Sequence, residues 1–433
     1  MDKKASRKSP AERMFTRLHV GCVYMRRHPQ LYAILATYLI IICIIAAAVM
    51  QPAVGNAVAV LAHNITRVIF PLYAIAGLLA LIIIFGMPRG AIKASKALAR
   101  AGIVNSAGES PMLLSVQRDK KNWRRYRYEF DANSLSLTSW QDHQVDIEAA
   151  LNVNIAQITT SRGKHRIWIF CVPATDALPD LVTPKLSDFP KSASQLALGQ
   201  GLVGPVVADL QKIPHVLIGG STGSGKTLLL KLILAQLIRK DAVVHIADFK
   251  GGVDYPAQWA ESCDIITDES TLIHTLGAIV DELNSRKELL RFCGQPNIAV
   301  YNHSAATPIP RIVFACDEVA ELLDKTGAGK ERKEQIGQIE SYLSTIARQG
   351  RAFGIHLILA TQRPDANILP GQIKNNMDYR ICGRADQVLS QIILDSTIAA
   401  DEIPKDVQGR FIDNEGRLFQ AYYLSDDQLE GLI

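Results

Sequence analysis

Two stretches of the chain carry apolar residues with no charge among them. Leu31–Met50 is a run of 20 residues, enough for about 30 Å of helix. Val68–Gly86 is a second, with Pro71 expected in its first turn, where a missing N–H is tolerated. Both are predicted to span a membrane. Past residue 110 the pattern breaks into shorter runs. "YRYEF" (126–130) alternates, "HRIWIFCV" (165–172) reads as a strand, and "QVDIEAALNVN" (144–154) between them has helical spacing. These predict a small α+β domain, followed by a Pro-rich connector at 174–190. Beyond it, "HVLIGG", "AVVHIADF", "RIVFACDE", "IHLILATQ" and "YRICGR" alternate with helical segments, the pattern of a doubly wound parallel sheet.

The first of those strands runs into Gly220-Ser221-Thr222-Gly223-Ser224-Gly225-Lys226-Thr227, which fits G-x-x-x-x-G-K-[ST] at every fixed position. Glycines let such a loop turn its N–H groups inward around phosphates, and the following helix adds its positive end. Strand before and helix after are the context that separates a nucleotide loop from a chance glycine-rich turn. ATP and Mg²⁺ are therefore the expected cofactors, with Lys226 on the β- and γ-phosphates and the Thr227 hydroxyl on the metal. "RIVFACDE" ends in two carboxylates. Asp317 is predicted to complete the metal's shell and Glu318 to polarise the attacking water. The alternative is a pair of acids capping the next helix. The strand ending in Gln362 brings a polar side chain toward the γ-phosphate, a candidate sensor.

Charge is distributed unevenly. Residues 1–100 hold 13 Lys/Arg against 2 Asp/Glu, and the other 333 hold 34 against 40. The soluble part is thus net acidic, and bulk charge gives no argument for nucleic acid. Basic residues flank both apolar runs on their outer sides, while the loop between holds only Arg67, so both termini are expected in the cytoplasm. A cleaved signal peptide would export an ATP-dependent domain away from its fuel, and the second run argues against one. Arg124, Arg125 and Arg127 form a basic cluster best read as a solvated strand edge. The seven cysteines show no C-x-x-C spacing, so reduced thiols and no zinc site are expected.

Three segments resemble the motor of the FtsK/SpoIIIE family of DNA translocases: "LGQGLVGPVVADLQKIPHVLIGGSTGSGKT" (198–227), "IVDELNSRKELLRFCGQPNIAVYN" (279–302) and "RQGRAFGIHLILATQRPDANILPGQIKNNMDYRI" (348–381). "ADFK" (247–250) is similar to the family's Asp-Pro-Lys turn, with Phe249 in place of proline. The resemblance implies an ATPase that moves DNA, a ring of six subunits, and Arg286 as the arginine finger of a neighbouring subunit, with Arg380 as second candidate. Relative to division-associated members, the short path from membrane to motor and the chain's end at Ile433 resemble coupling proteins of Gram-positive conjugative elements. Those imply DNA bound to a relaxase, and a membrane channel, as partners. Chromosome segregation, protein secretion and a nucleotide-gated scaffold stay open as alternatives. For DNA in the ring's centre the expected contacts are Lys325, Lys330 and Arg332, on a loop at 324–335; a solvated loop is the equal alternative.

The expected layout is a basic cytoplasmic tail (1–30), two membrane helices (31–86), a juxtamembrane linker (87–110), a small α+β domain with connector (111–190), and an α/β P-loop motor with a parallel RecA-like sheet (191–433).

Overall fold

The computed structural model describes residues 10–27, 29–52, 56–85, 87–119, 125–161, 163–251, 253–362 and 369–433. Arg124 and the start of the basic tail lie outside them. The chain divides into two compact units, Met1–Asp176 and Ala177–Ile433.

The first unit opens with helices α1 (Pro10–Arg27), α2 (Leu31–Val49) and α3 (Ala57–Phe85). Helices α2 and α3 are long and apolar enough to cross a membrane, and neither is buried inside the protein. They pair as a hairpin: the Tyr38 hydroxyl donates to the Ala74 carbonyl at 2.8 Å, and Gly77 leaves room for that ring. Helix α3 starts eleven residues before the expected Val68, so Pro71 lies in its interior rather than its first turn. The apolar segment 57–62 supplies the extra turns. Arg67, the charge that hid them, reaches back to the Met50 carbonyl at the end of α2. The basic tail is itself helical where described. At Gly21, α1 crosses α3 so closely that an added Cβ would lie 2.5 Å from the Ile82 carbonyl.

Next comes α4 (Ala91–Arg100), expected as linker. Its Ala91 and Leu98 are buried in one core with Phe130, Trp140, Ile147 and Ile167, so it belongs to the small domain. That domain is a four-stranded antiparallel sheet of β1 (Leu113–Arg118), β2 (Tyr126–Asp131), β3 (Val153–Thr160) and β4 (Arg166–Pro173), ordered β1-β2-β4-β3. Helices α5 (Leu137–Asp142) and α6 (Gln144–Leu151) complete it. Asn152, in the left-handed region at φ 54°, ends α6 and lets β3 begin at once. Of the expected basic cluster, Arg125 pairs with Asp119, and Arg127 lies over the Trp168 ring and donates to Gln117.

The second unit is built on a ten-stranded sheet. Its strands are β5 (Gln195–Gly201), β6 (Gly204–Asp209), β7 (Val216–Gly219), β8 (Val243–Ala247), β9 (Asp264–Ile266), β10 (Ile312–Cys316), β11 (Ile355–Thr361), β12 (Tyr379–Cys382), β13 (Arg410–Asp413) and β14 (Leu418–Ala421). The order is β6-β5-β14-β13-β12-β7-β11-β10-β8-β9. From β12 to β9 every pairing is parallel, and the strands on the other side pair antiparallel. The fold is therefore mixed α/β with a parallel core, carrying an antiparallel extension the sequence pattern did not show. Helices α7 (Lys226–Ile238), α8 (Trp259–Ser262), α9 (Glu269–Phe292), α10 (Ile298–Ser304), α11 (Val319–Leu323) and α12 (Lys330–Gln349) follow their strands. Both faces of the sheet are covered by apolar clusters, as parallel strands require. The connector also packs here: Val182 bridges to Tyr422, and Asp180 pairs with Arg410.

The register brings the chemistry to one edge. Gly219 ends β7 beside Thr361 of β11 and Cys382 of β12, while Cys316 of β10 lies beside Leu359 and Ala247. The turns after β7, β8, β10 and β11 thus emerge together at the carboxyl ends of parallel strands, where ligands of open α/β sheets bind.

Candidate nucleotide site

The turn after β7 is held by its glycines and by two neighbouring segments. Gly223 and Gly225 have φ of 74° and 96°, conformations that favour glycine. The Gly409 backbone lies 3.1 Å from where a Gly225 Cβ would stand. Ser221 N–H donates to the Arg384 carbonyl at 2.7 Å, Gly409 N–H to the Ser224 carbonyl at 2.9 Å, and the Arg384 guanidinium to the Thr222 carbonyl at 2.8 Å. Helix α7 then begins at Lys226, and its N-cap Gly225 offers no side-chain cap. Its first N–H groups are left for an anion.

Lys226 is 6% exposed. Its ammonium donates to the Asp317 carboxylate and to the Asp317 carbonyl, each at 2.7 Å. Lys250, from the turn after β8, donates to the other carboxylate oxygen at 2.9 Å, and the Thr227 hydroxyl stands 3.2 Å from it. Asp317 is only 2% exposed. Burial pushes its pKa up, but Lys226 and Lys250 outweigh this and hold the carboxyl below its ordinary value. For Lys250 burial acts downward, and the bond to Asp317 with the nearby Asp254 lifts its pKa above the ordinary ammonium range. The adjoining Cys316 thiol is pushed up to about 12, chiefly by burial, and is inert.

Glu318 sits at the N-cap of α11, yet its side chain makes no capping bond. Instead it accepts from the Thr361 hydroxyl at 2.7 Å and from the Gln362 N–H at 3.0 Å. The Thr222 hydroxyl donates to the Gln362 side-chain oxygen at 3.1 Å, so the phosphate loop, the end of β11 and Glu318 form one hydrogen-bonded chain. Lys226, Thr227, Asp317, Glu318 and Gln362 are thereby brought together. ATP and Mg²⁺ fit these residues: an uncapped helix start, a buried lysine, and a hydroxyl and carboxylate as hard oxygen donors. Among the described residues no cluster of three or more His, Cys, Asp or Glu side chains could hold a metal. Mg²⁺ beside phosphates needs only one or two protein oxygens.

Five expected residues are placed elsewhere. Arg286 is 3% exposed, and its guanidinium donates to Glu282 at 2.7 Å and to the Phe353 carbonyl at 2.8 Å. A finger must leave its own surface to enter a neighbour's site; here Arg286 ties α9 to the turn before β11. Arg286→Ala strands that carbonyl and is expected to lower stability by about 1–3 kcal/mol, read as a lower melting temperature. An unchanged melting temperature with lost turnover, restored by mixing with Lys226→Ala protein, would return Arg286 to the finger role. Arg380 is engaged by Asp395 and the Met377 carbonyl. Lys325 pairs with Glu340, and Arg332 with Glu269. Lys330 and Arg332 belong to the first turn of α12 rather than to a loop, because the segment from Lys330 continues the helix's apolar spacing at Ile336, Ile339 and Leu343.

Two contributors went unassigned in the sequence. Lys250 stands 67 positions from Asp317, and Arg384 lies far beyond the phosphate loop it holds. Only the adjacency of β8 with β10, and of β12 with β7, brings them in.

The fold and this cluster define a P-loop nucleoside-triphosphatase. Residues 178–366 match the FtsK/SpoIIIE family model. The DNA translocase FtsK of Campylobacter jejuni is 34% identical over 221 residues, 48% of this chain and 22% of that protein. The DNA translocase SftA of Bacillus subtilis is 31% identical over 308 residues, 66% of this chain and 31% of that protein. The solved structure of the pCW3 conjugation coupling protein TcpA, a monomer form with ATPγS, is 33% identical and superposes with a TM-score of 0.58, covering 80% of this chain and 99% of that one. Residues 178–366 thus form a domain of the FtsK/SpoIIIE family. The chain spans between a fifth and a third of the length of those two curated relatives.

Proposed function

We propose that the chain is a membrane-anchored, ATP-driven DNA translocase that serves as the coupling motor of conjugative transfer. One observation carries the finer reading: the likeness to the TcpA coupling protein extends over 80% of this chain, more than the second unit alone amounts to. The 34% identity to an FtsK translocase favours a second reading, chromosome segregation. Deleting the gene from a donor cell separates them. Loss of plasmid or element transfer with normal division supports the coupling role, and trapped chromosomes at division support the other.

In the proposed cycle Lys226 exchanges the Asp317 carboxylate for the β- and γ-phosphates of ATP. Thr227 and Asp317 would hold Mg²⁺, which would supply charge neutralisation to the phosphates. Glu318 then orients water and takes its proton, and Gln362 reports the state of the γ-phosphate along β11. Subunits assemble as a homohexameric ring around DNA, and α2 and α3 anchor it with both termini in the cytoplasm. The relaxase and channel proteins are its partners.

DNA gripped through phosphates is read without regard to sequence. The full chain in detergent is expected to hydrolyse ATP faster with DNA, equally for scrambled duplexes. Raising salt from about 50 to 200 mM should cost on the order of 10³-fold in DNA affinity and little in ATP affinity. Lack of stimulation at low salt, in protein shown to assemble, would overturn the translocase reading.

A further inference from the structure

We propose that the first unit carries a binding site for an anionic phospholipid, at the junction of its two apolar helices with the small domain. The site is a cleft of about 890 Å³, within the size range of ligand pockets. One wall is apolar-helix end: Leu31 opens α2 and Ile84 lies in the last turn of α3. Ile84 is 66% exposed, an apolar surface facing what would be acyl chains. The opposite wall is the small domain, with Leu113, Val116 and Leu151.

The charge in this cleft has one sign. Pro88 and Gly90 turn the chain from α3 into α4; Gly90 has φ of 85°, and α4 starts at Ala91. The turn sets Arg89 and Lys93 four positions apart, both lining the cleft and both exposed. Neither makes a hydrogen bond or ion pair among the described residues, and no carboxylate is among the cleft's lining residues. Two cations lining one cleft without a counter-charge repel, and a phosphodiester between them would remove the repulsion. Tyr24 lines the same cleft from α1, an aromatic side chain of the kind that favours lipid headgroups. The pocket thus joins two cations, an aromatic ring and apolar walls at the end of a membrane hairpin. That is the chemistry of a negatively charged glycerophospholipid, with its headgroup on Arg89 and Lys93 and its chains along α2 and α3.

The test uses the full chain in nanodiscs of phosphatidylcholine with or without phosphatidylglycerol. Native mass spectrometry counts the lipids that stay on the protein after release. The expected result is selective retention of phosphatidylglycerol. Each basic residue near an anionic surface contributes about fivefold in affinity, so Arg89→Gln/Lys93→Gln protein should lose on the order of thirtyfold. Lys96→Gln/Arg100→Gln protein, which removes the same charge from α4 outside this cleft, should retain the lipid. ATP turnover in detergent should be unchanged in both, since neither pair touches the nucleotide site. Free glycerol 3-phosphate should not compete, because it lacks the chains. Equal loss in both double variants would mean general surface attraction and overturn the site. So would equal retention of phosphatidylcholine, competition by glycerol 3-phosphate, or failure of the chain to insert into the discs.

Discussion

Lys226→Ala protein is expected to lose ATP turnover by about 10²–10³-fold or more, the range for removing one preorganised charge partner. Lys226 is buried and its ammonium is held at 2.7 Å by the Asp317 carboxylate. The substitution therefore acts twice. It removes the cation that would meet the γ-phosphate, and it leaves Asp317 with Lys250 as its remaining ion-pair partner. Lys226→Met separates these effects from simple loss of volume, since it keeps most of the buried stem without the charge. Turnover measured by phosphate release, beside binding of a fluorescent ATP analogue, is the check. Near-normal turnover in either variant would remove Lys226 from the reaction.

The second large effect is expected for Glu318→Gln, about 10²–10⁴-fold in turnover with nucleotide binding retained. The reason for retention is local. Both Glu318 carboxylate oxygens accept bonds from the end of β11, from the Thr361 hydroxyl and the Gln362 N–H. A glutamine oxygen can still accept from Gln362, and its amide can donate to the Thr361 oxygen, so the side chain stays where it is. Only its basicity is lost. Unchanged turnover would show that another group activates the water. Weakened ATP binding of similar size would show that Glu318 serves the cradle instead.

The opposite outcome for Arg286 follows from the same kind of local inspection. The resemblance of its segment to the family motor marked it as a finger, but sequence has no means of showing which way an arginine leaves a helix. On α9 it faces inward, between Glu282 and the Phe353 carbonyl, and substitution there is a stability experiment first.

Much of the candidate site was legible because its parts are local. A glycine-rich loop between an apolar strand and a helix needs only a dozen consecutive residues, and strand β10 ending in two acids needs fewer. Five of the six parallel strands could be read because strands buried on both faces are written as unbroken apolar runs, whereas the three-residue β9 was too short to show. The apolar hairpin was visible for the same reason, although Arg67 concealed the beginning of α3. The antiparallel strands β5, β6, β13 and β14 escaped because short strands rich in glycine and polar residues carry little periodic signal.

By itself, then, the sequence determined which turns carry residue types suited to phosphate, metal and base chemistry, since those depend on residue type and spacing within one turn. Tertiary structure alone decided which of those turns meet. Parallel pairing of β8 with β10 sets Lys250 against Asp317, and pairing of β7 with β11 joins Thr222 to Gln362 and Glu318. It also decided that α4 packs into the small domain's core, and that Arg286 is buried against internal partners while the partly exposed Arg332 pairs with Glu269. The physical reason is range. A backbone turn is governed by neighbours in the chain, whereas a salt bridge or a buried face is governed by whatever the sheet order brings within about 4 Å, across any number of residues.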